Sequence, residues 1–408
     1  METQTTDVNP LDAGQLDPRF NGGQIRPNYR SGSVRATVLS AEGALTYAAW
    51  QGKGFTLYRT DPDGIPDPGF GGGSGNTGEW QFVDGEDARP TRLLVQQDGK
   101  VLVIGDSRQV TGLRPAALTR FNANGSPDLV FGRVVIPVPH RDYAEVTWID
   151  GCLQSDGKIL VAFGYFGPAV ASSVLVRLLS NGELDSSFAG TGFVEVESGE
   201  NPILLRSVVI QNGKIVVGGN TTSDQLVLAR YDMEGGIDST FGNSGFVFFA
   251  VTDGSSLKNE QLIVQDDHKL VCAGRRVEGG IRATGMVMRF TADGRPDEQW
   301  NGGLPVFTEA GPNLRWTSLA QQPDDKIVMV GYTYRAPIDP IAGDIIAGRL
   351  LPNGVHDTSF GEAGWVRVGS SGGLSWDVKV QSAARIIVGG DALIDNGGRG
   401  PVVYGLQA

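Results

Sequence analysis

Of the 408 residues, 59 are Gly and 21 are Pro, Gly standing at about twice its usual share with no three-residue period, which excludes collagen. Lys plus Arg is 34 against 46 Asp plus Glu, a net charge of −12 that repels phosphate backbones. With no basic block in the chain, nucleic acid is not an expected partner. The 40% hydrophobic content supports a large core, no apolar run is long enough for a membrane-spanning helix, and two cysteines are too few for a disulfide framework.

In chain order, residues 1–12 read as a flexible tail. They lack the basic and apolar regions of a secretory signal, so the expectation is a cytoplasmic protein or one exported by a signal-less route. Asp17–Phe20 then introduces a motif, an acidic residue followed three positions later by Phe or Trp. It recurs at Asp67–Phe70, Asp128–Phe131, Asp185–Phe188, Asp238–Phe241, Asp297–Trp300 and Asp357–Phe360, at spacings of 50, 61, 57, 53, 59 and 60 residues. A turn signal precedes most copies. Between them lies a second motif: an apolar run, Gln, a turn, Lys or Arg, and another apolar run, as in RLLVQQDGKVLVIG, SVVIQNGKIVVGG and SLAQQPDDKIVMVG.

Short Val- and Ile-rich runs joined by two to four turn residues predict β-hairpins, and no stretch has a helical period. Each unit supplies four strands, A to D; in the fourth these are LRSVVIQ, KIVVGGN, LVLARYD and GFVFFAV. A four-stranded meander repeated seven times predicts an all-β, seven-bladed β-propeller. Residues 13–408 form one domain, with blades at about 33–83, 89–137, 145–197, 204–251, 259–308, 315–368 and 375–408. The seventh blade lacks a D strand. Residues 13–30 are the closing segment, and residues 23–27 are expected to supply that strand. The repeated aromatic is expected to plug the gap between blades while the Asp shapes the C–D turn.

The string from QxDGKIxVxG through LARYxxxGxxDxxFGxxG resembles the delta-60 repeat family of bacterial proteins, over nearly the whole chain. The resemblance implies a propeller-like protein, often secreted or surface-associated, and no particular chemistry.

Strand order places the regular A–B and C–D turns on one face and the variable D–A and B–C loops on the other, where binding is expected. The variable loops carry Tyr143, Trp316, Tyr334 and Arg335, residue types favoured at binding hot spots. Four residues before the Gln of each hairpin stand Ala36, Arg92, Asp150, Ser207, Gln261, Ser318 and Asp377, a polar ring expected to line the tunnel. Of these, Arg92, Asp150 and Asp377 are candidates for a ligand or catalytic floor. His140, near Asp142 and Glu145, is the one histidine on the variable face and a candidate general base, though a surface role is the plainer reading. His268 and His356 fall in turns, so no zinc site assembles.

Cys152 could be a nucleophile but has no evident partner, and Cys272 reads as packing. Asp61, Asp63 and Asp67 have the spacing that opens a calcium loop. Other repeats lack the first ligand, so turn chemistry is the expectation and no cofactor is assigned. Three functions compete: a non-catalytic module binding a protein or glycan through the variable face, a hydrolase or lyase at the tunnel mouth, and a structural component of a secreted or surface assembly.

Overall fold

The computed structural model describes residues 13–27, 31–109, 112–138, 145–166, 171–198, 201–223, 225–335, 343–361, 363–369, 372–382, 384–394 and 397–408. Among the described residues the regular structure is β-strand apart from three-residue turns of 3-10 helix such as Gly71–Gly73. Seven antiparallel sheets follow one another, each a meander in the order A–B–C–D. The first blade comprises Ser33–Leu39, Leu45–Gln51, Gly54–Thr60 and Asn76–Trp80. The fourth adds a short outlying pair, Glu197–Ser198, beside its A strand Asn201–Gln211.

The ring closes as the sequence predicts. Gln24–Ile25 joins Arg399–Gln407, with Gln24 opposite Tyr404, so the beginning of the chain completes the last blade. The seam is reinforced where Leu16 bridges Leu406 and Gly14 N–H donates to Gln407 O at 2.8 Å.

Burial explains the composition of the strands. Seven apolar clusters occur, each shared by two adjacent blades, so the inner strands are covered on both faces. Ile159–Phe166, a B strand, is buried at seven successive positions, which is why it reads as a continuous apolar run. Arg133–Val135, a D strand at the rim, has exposed ends. The repeated aromatics sit in these clusters: Phe20, Phe70, Phe188, Phe241, Trp300 and Phe360 are fully buried, and Phe131 nearly so.

The repeated aspartate belongs to a latch. Asp185 accepts from Ser187 N–H and Oγ, and its other oxygen accepts from Arg177 Nε at 2.7 Å. The same eight-residue spacing pairs Arg59 with Asp67, Arg120 with Asp128, Arg230 with Asp238, Arg289 with Asp297 and Arg349 with Asp357. At the seam Arg385 takes this part for Asp17. Each guanidinium also lies over the aromatic ring of its own motif, Arg177 at 4.6 Å from the Phe188 centroid. Several reach on to a carbonyl in the next blade, as Arg120 does to Ser180 O and Arg230 to Ala292 O, both at 2.7 Å. Burial alone would raise the Asp185 carboxyl, but the Ser187 hydrogen bonds and the Arg177 charge hold it down at about 2. The turn lysines join in, Lys158 Nζ standing 3.3 Å from Asp185.

Candidate functional site at the axial tunnel

Every A strand carries a register shift against its B strand. In six blades one residue is left over: Arg35, Thr91, Arg206, Glu260, Thr317 and Trp376. The third blade leaves out two, Trp148 and Ile149. A bulged residue has no ladder partner and re-aims its side chain. Propeller symmetry brings all of these to the axis, where they line an upper cavity of about 340 Å³ and a lower one of about 110 Å³. The upper cavity also touches Arg114 in the second B–C loop, so it lies toward the variable face. The bulge needs a bare backbone opposite it. A Cβ on Gly274 would sit 1.9 Å from Lys258 O, and one on Gly331 2.1 Å from Arg315 O.

In five blades the residue after the bulge has a different task. The axial edge of an A strand has no neighbouring strand, so its N–H groups need other acceptors. Val208 N–H donates to Asp150, Leu262 N–H to Ser207 Oγ, Leu319 N–H to Gln261 Oε1, Val378 N–H to Ser318 Oγ and Thr37 N–H to Asp377. The predicted polar ring is therefore a lacing between blades. Arg92, Asp150 and Asp377 do meet at the lower cavity. Arg92 Nε stands 3.3 Å from Asp150, whose charge strengthens the guanidinium. Burial would raise Asp377, but Lys379, 2.6 Å away, and Arg92 hold it below the usual carboxylate range.

The upper cavity is lined by four arginines, Arg35, Arg89, Arg114 and Arg315, and two carboxylates, Asp106 and Glu260. Asp106 pairs with Arg114 at 3.0 Å. Glu260 receives three guanidinium groups, from Arg206 at 2.7 Å, Arg315 at 2.6 Å and Arg275. Burial would raise its carboxyl, yet the Arg206, Arg315 and Arg275 charges hold it at about 2. Burial pushes Arg206 down to about 10, so it stays charged at neutral pH.

Arg35 and Arg89 are different. Neither guanidinium has a hydrogen-bond acceptor or an ion-pair partner among the described residues, and the Nε of each is buried. Aromatic faces hold them instead. Arg35 lies 4.1 Å from the Trp376 ring centroid and 6.0 Å from that of Trp50, and Arg89 lies 5.4 Å from the Trp50 centroid. Burial, and then the charge of Arg89, push Arg35 down to about 10. Asp391 and Asp106 pull the other way from a distance, but no carboxylate is in contact with either guanidinium among the described residues.

The other predicted residues scatter. Tyr334 is half-buried at the rim and Arg335 is exposed beside it. The Tyr334 ring lies 6.2 Å from that of Tyr332, which lies 5.9 Å from Trp376, so an aromatic path runs from rim to cavity. Trp316 requires a correction. It belongs to the A strand Leu314–Gln321 and is fully buried between the fifth and sixth blades, because the alternation of that strand turns it onto the sheet face. It cannot meet a partner at the surface. His140, Arg141, Asp142 and Tyr143 lie outside the described residues, and Glu145 opens the A strand Glu145–Leu153.

Burial pushes the thiols of Cys152 and Cys272 up, away from nucleophilic character. His268 is a turn residue with φ +65°, and burial lowers His356, whose Nε2 is 2.9 Å from Thr308 Oγ1. Asp61 accepts from the backbone N–H of Asp63 and Ile65, which is turn chemistry. Among the described residues no three His, Cys, Asp or Glu side chains converge as a metal site. Among them, too, no helix is long and apolar enough to cross a membrane.

Sequence reasoning missed Arg35, Arg89, Trp148, Glu260 and Trp376. For Arg35, Glu260 and Trp376 the signal was present, a charged or bulky residue one position before the predicted ring; Arg89 and Trp148 stand three and two positions before it and follow no such rule.

Three segments, 96–131, 154–188 and 211–241, match a family described as a domain of unknown function (DUF5122) beta-propeller, which supports a bacterial β-propeller repeat family. A curated protein, tRNA pseudouridine synthase A of Pseudoalteromonas atlantica, is 31% identical over 94 residues. That match spans 23% of this chain and 35% of the synthase. Among solved structures, an inactive virginiamycin B lyase from Staphylococcus aureus with quinupristin superposes at a TM-score of 0.51 and 10% identity. It covers 93% of this chain and 98% of that one. A polysaccharide lyase of family PL25, an ulvan lyase bound to -[GlcA(1-4)Rha3S]-, gives 0.52 at 10% identity, covering 94% and 96%. At such identities the likeness is one of fold.

Proposed function

We propose that this propeller binds a small anionic ligand in the upper cavity of its tunnel and performs no chemistry on it. One observation carries the reading: Arg35 and Arg89 stand together at the cavity, stacked on Trp50 and Trp376, with no acceptor for either guanidinium among the described residues. Charged groups out of water are held where something compensates them, and an anionic ligand supplies the missing partner. The cavity, at about 340 Å³, lies at the small end of the range for ligand sites, roughly 300–1,000 Å³. Tyr334 and Arg335 at the rim would extend recognition to a longer chain or to a protein bearing the ligand.

A second reading, elimination by a lyase, has one observation in its favour. The Tyr332 hydroxyl stands 3.4 Å from Arg315 Nη1 beside the cavity, and a phenol next to a guanidinium can serve as a base. The saccharide named with the ulvan lyase, a protein of similar fold, contains an acidic sugar, which agrees with an anionic ligand under either reading.

Isothermal titration of the full chain with glucuronate, sulfate and glucose tests the proposal. Anions are expected to bind and glucose to fail, and Arg35→Gln and Arg89→Gln should each weaken anion binding at least tenfold. Equal binding of neutral and charged probes would sink it. Growth of ultraviolet absorbance from an unsaturated uronate, lost in Tyr332→Phe, would replace it with the lyase reading.

A further inference from the structure

Resting on that anion-binding reading, we infer that Trp148 is a stacking platform in the same cavity and that the ligand is an acidic saccharide. Trp148 breaks the sevenfold pattern. The other blades bulge by one residue, and the third bulges by two, so Trp148 is the insertion that the fold does not require. Its backbone is in the left-handed region at φ +53°, where a bulky side chain is strained. Strain of this kind is retained where it positions a functional group.

The indole is 36% exposed, the most open aromatic lining the cavity, whereas propeller tryptophans such as Trp300 and Trp316 are fully buried. One part of the ring is fixed: the Arg206 guanidinium lies 3.7 Å from its centroid, and the Phe166 ring meets it edge-on at 6.0 Å. Both contacts set the orientation of a ring that also lines the cavity. A rigid, half-open indole suits the flat apolar face of a pyranose ring.

The polar groups around it select among ring ligands. Arg35 and Arg89, from the first and second blades, call for a carboxylate or other anionic group. The Asp106 and Glu260 carboxylates are already taken up by arginines, whereas Thr147 Oγ1 is buried without a partner in the segment that carries Trp148. A sugar acid offers hydroxyls to Thr147 Oγ1 and its own carboxylate to the arginines. An aromatic carboxylate carries no hydroxyl, so it would leave Thr147 Oγ1 buried without a partner.

The experiment titrates the full chain with methyl glucuronide, methyl glucoside and benzoate, in the wild type and in Trp148→Ala, Trp148→Phe and Arg35→Gln. Methyl glucuronide should bind at least tenfold more tightly than either of the others. Trp148→Ala should weaken it at least fivefold, with Trp148→Phe retaining most of the affinity and both variants melting as folded proteins. If benzoate binds as tightly as the glucuronide and Trp148→Ala is silent, while Arg35→Gln abolishes both, the saccharide inference fails and the anion site stands. If Arg35→Gln changes neither, the anion site fails and this inference with it.

Discussion

The molecule uses one device, an arginine laid on an aromatic ring, at two ends of its tunnel axis and finishes it differently. On the face of regular turns every described latch is complete. Arg177 has Phe188 beneath it, Asp185 on its Nε and Ser187 Oγ at 3.1 Å. Toward the variable face Arg35 has Trp376 beneath it, and Arg89 has Trp50, and neither has an acid in contact among the described residues. Where each charge is matched, the arrangement serves stability. Where a charge is left over, stability has been set against something else, and binding is the function that an unmatched cation performs.

The largest effects should follow from breaking a complete latch. Arg177→Met takes the guanidinium from Asp185, leaving it Ser187 and Lys158, and should lower the unfolding free energy by about 2–3 kcal/mol. Phe188→Ala, which opens a cavity between the third and fourth blades, should do the same by about 3–5 kcal/mol. Urea denaturation of the two variants reads both. A loss below about 1 kcal/mol in either would mean that the latch is ornament rather than the fastening of the ring.

Acid should come next. Asp185 and Glu260 sit at about 2, and Asp17, Asp128, Asp238, Asp297 and Asp357 also lie below their ordinary values. A carboxylate depressed in the folded state stabilises above its unfolded value of about 4, and that stability is lost as pH falls through the folded value. The melting temperature should therefore hold from neutrality to about pH 4 and fall steeply toward pH 2. A melting temperature unchanged between those two values would contradict the matched-charge account of the latches.

Trp148 should give the smallest effect and the sharpest contrast between stability and binding. Glycine tolerates φ +53° and alanine does not, so Trp148→Gly should melt above Trp148→Ala, by about 1 kcal/mol in stability. Both should lose saccharide affinity. The reverse order of melting would show that the backbone there is not strained.

The two regions were also unequally legible in the sequence. The latch side could be read because its parts recur in register: Asp185 to Phe188 has the same spacing in every blade, and Gln24–Ile25 was recoverable as the missing strand because the last blade stops one strand short. Even there the arginine eight residues before six of the aspartates went unread, since a lone Arg in an apolar strand looks like an exposed position. The lower cavity was legible, since Arg92, Asp150, Gln261 and Asp377 of the predicted ring line it, but the bulged residues that build the upper one were missed. Counting four back from Gln211 reaches Ser207, a lacing residue, and the bulge puts Arg206 at the axis instead. Strict alternation has no place for an inserted residue, so every side chain counted across the bulge changes face. Trp316 failed for the same reason in reverse, having been counted into a loop when the A strand had already begun at Leu314.

The most direct test is one set of thermal melts: wild type and the Arg35→Met, Arg89→Met double variant, each with and without glucuronate. Without ligand the double variant should be as stable as the wild type or more so, by about 1 kcal/mol, because unmatched charge has been replaced by apolar side chains of similar length. With glucuronate at 100 times its dissociation constant the wild type should gain about 2.7 kcal/mol and the variant nothing. A ligand-free double variant destabilised as severely as Arg177→Met, or one that glucuronate stabilises as much as it does the wild type, would contradict the claim that these two arginines are held for an anionic ligand.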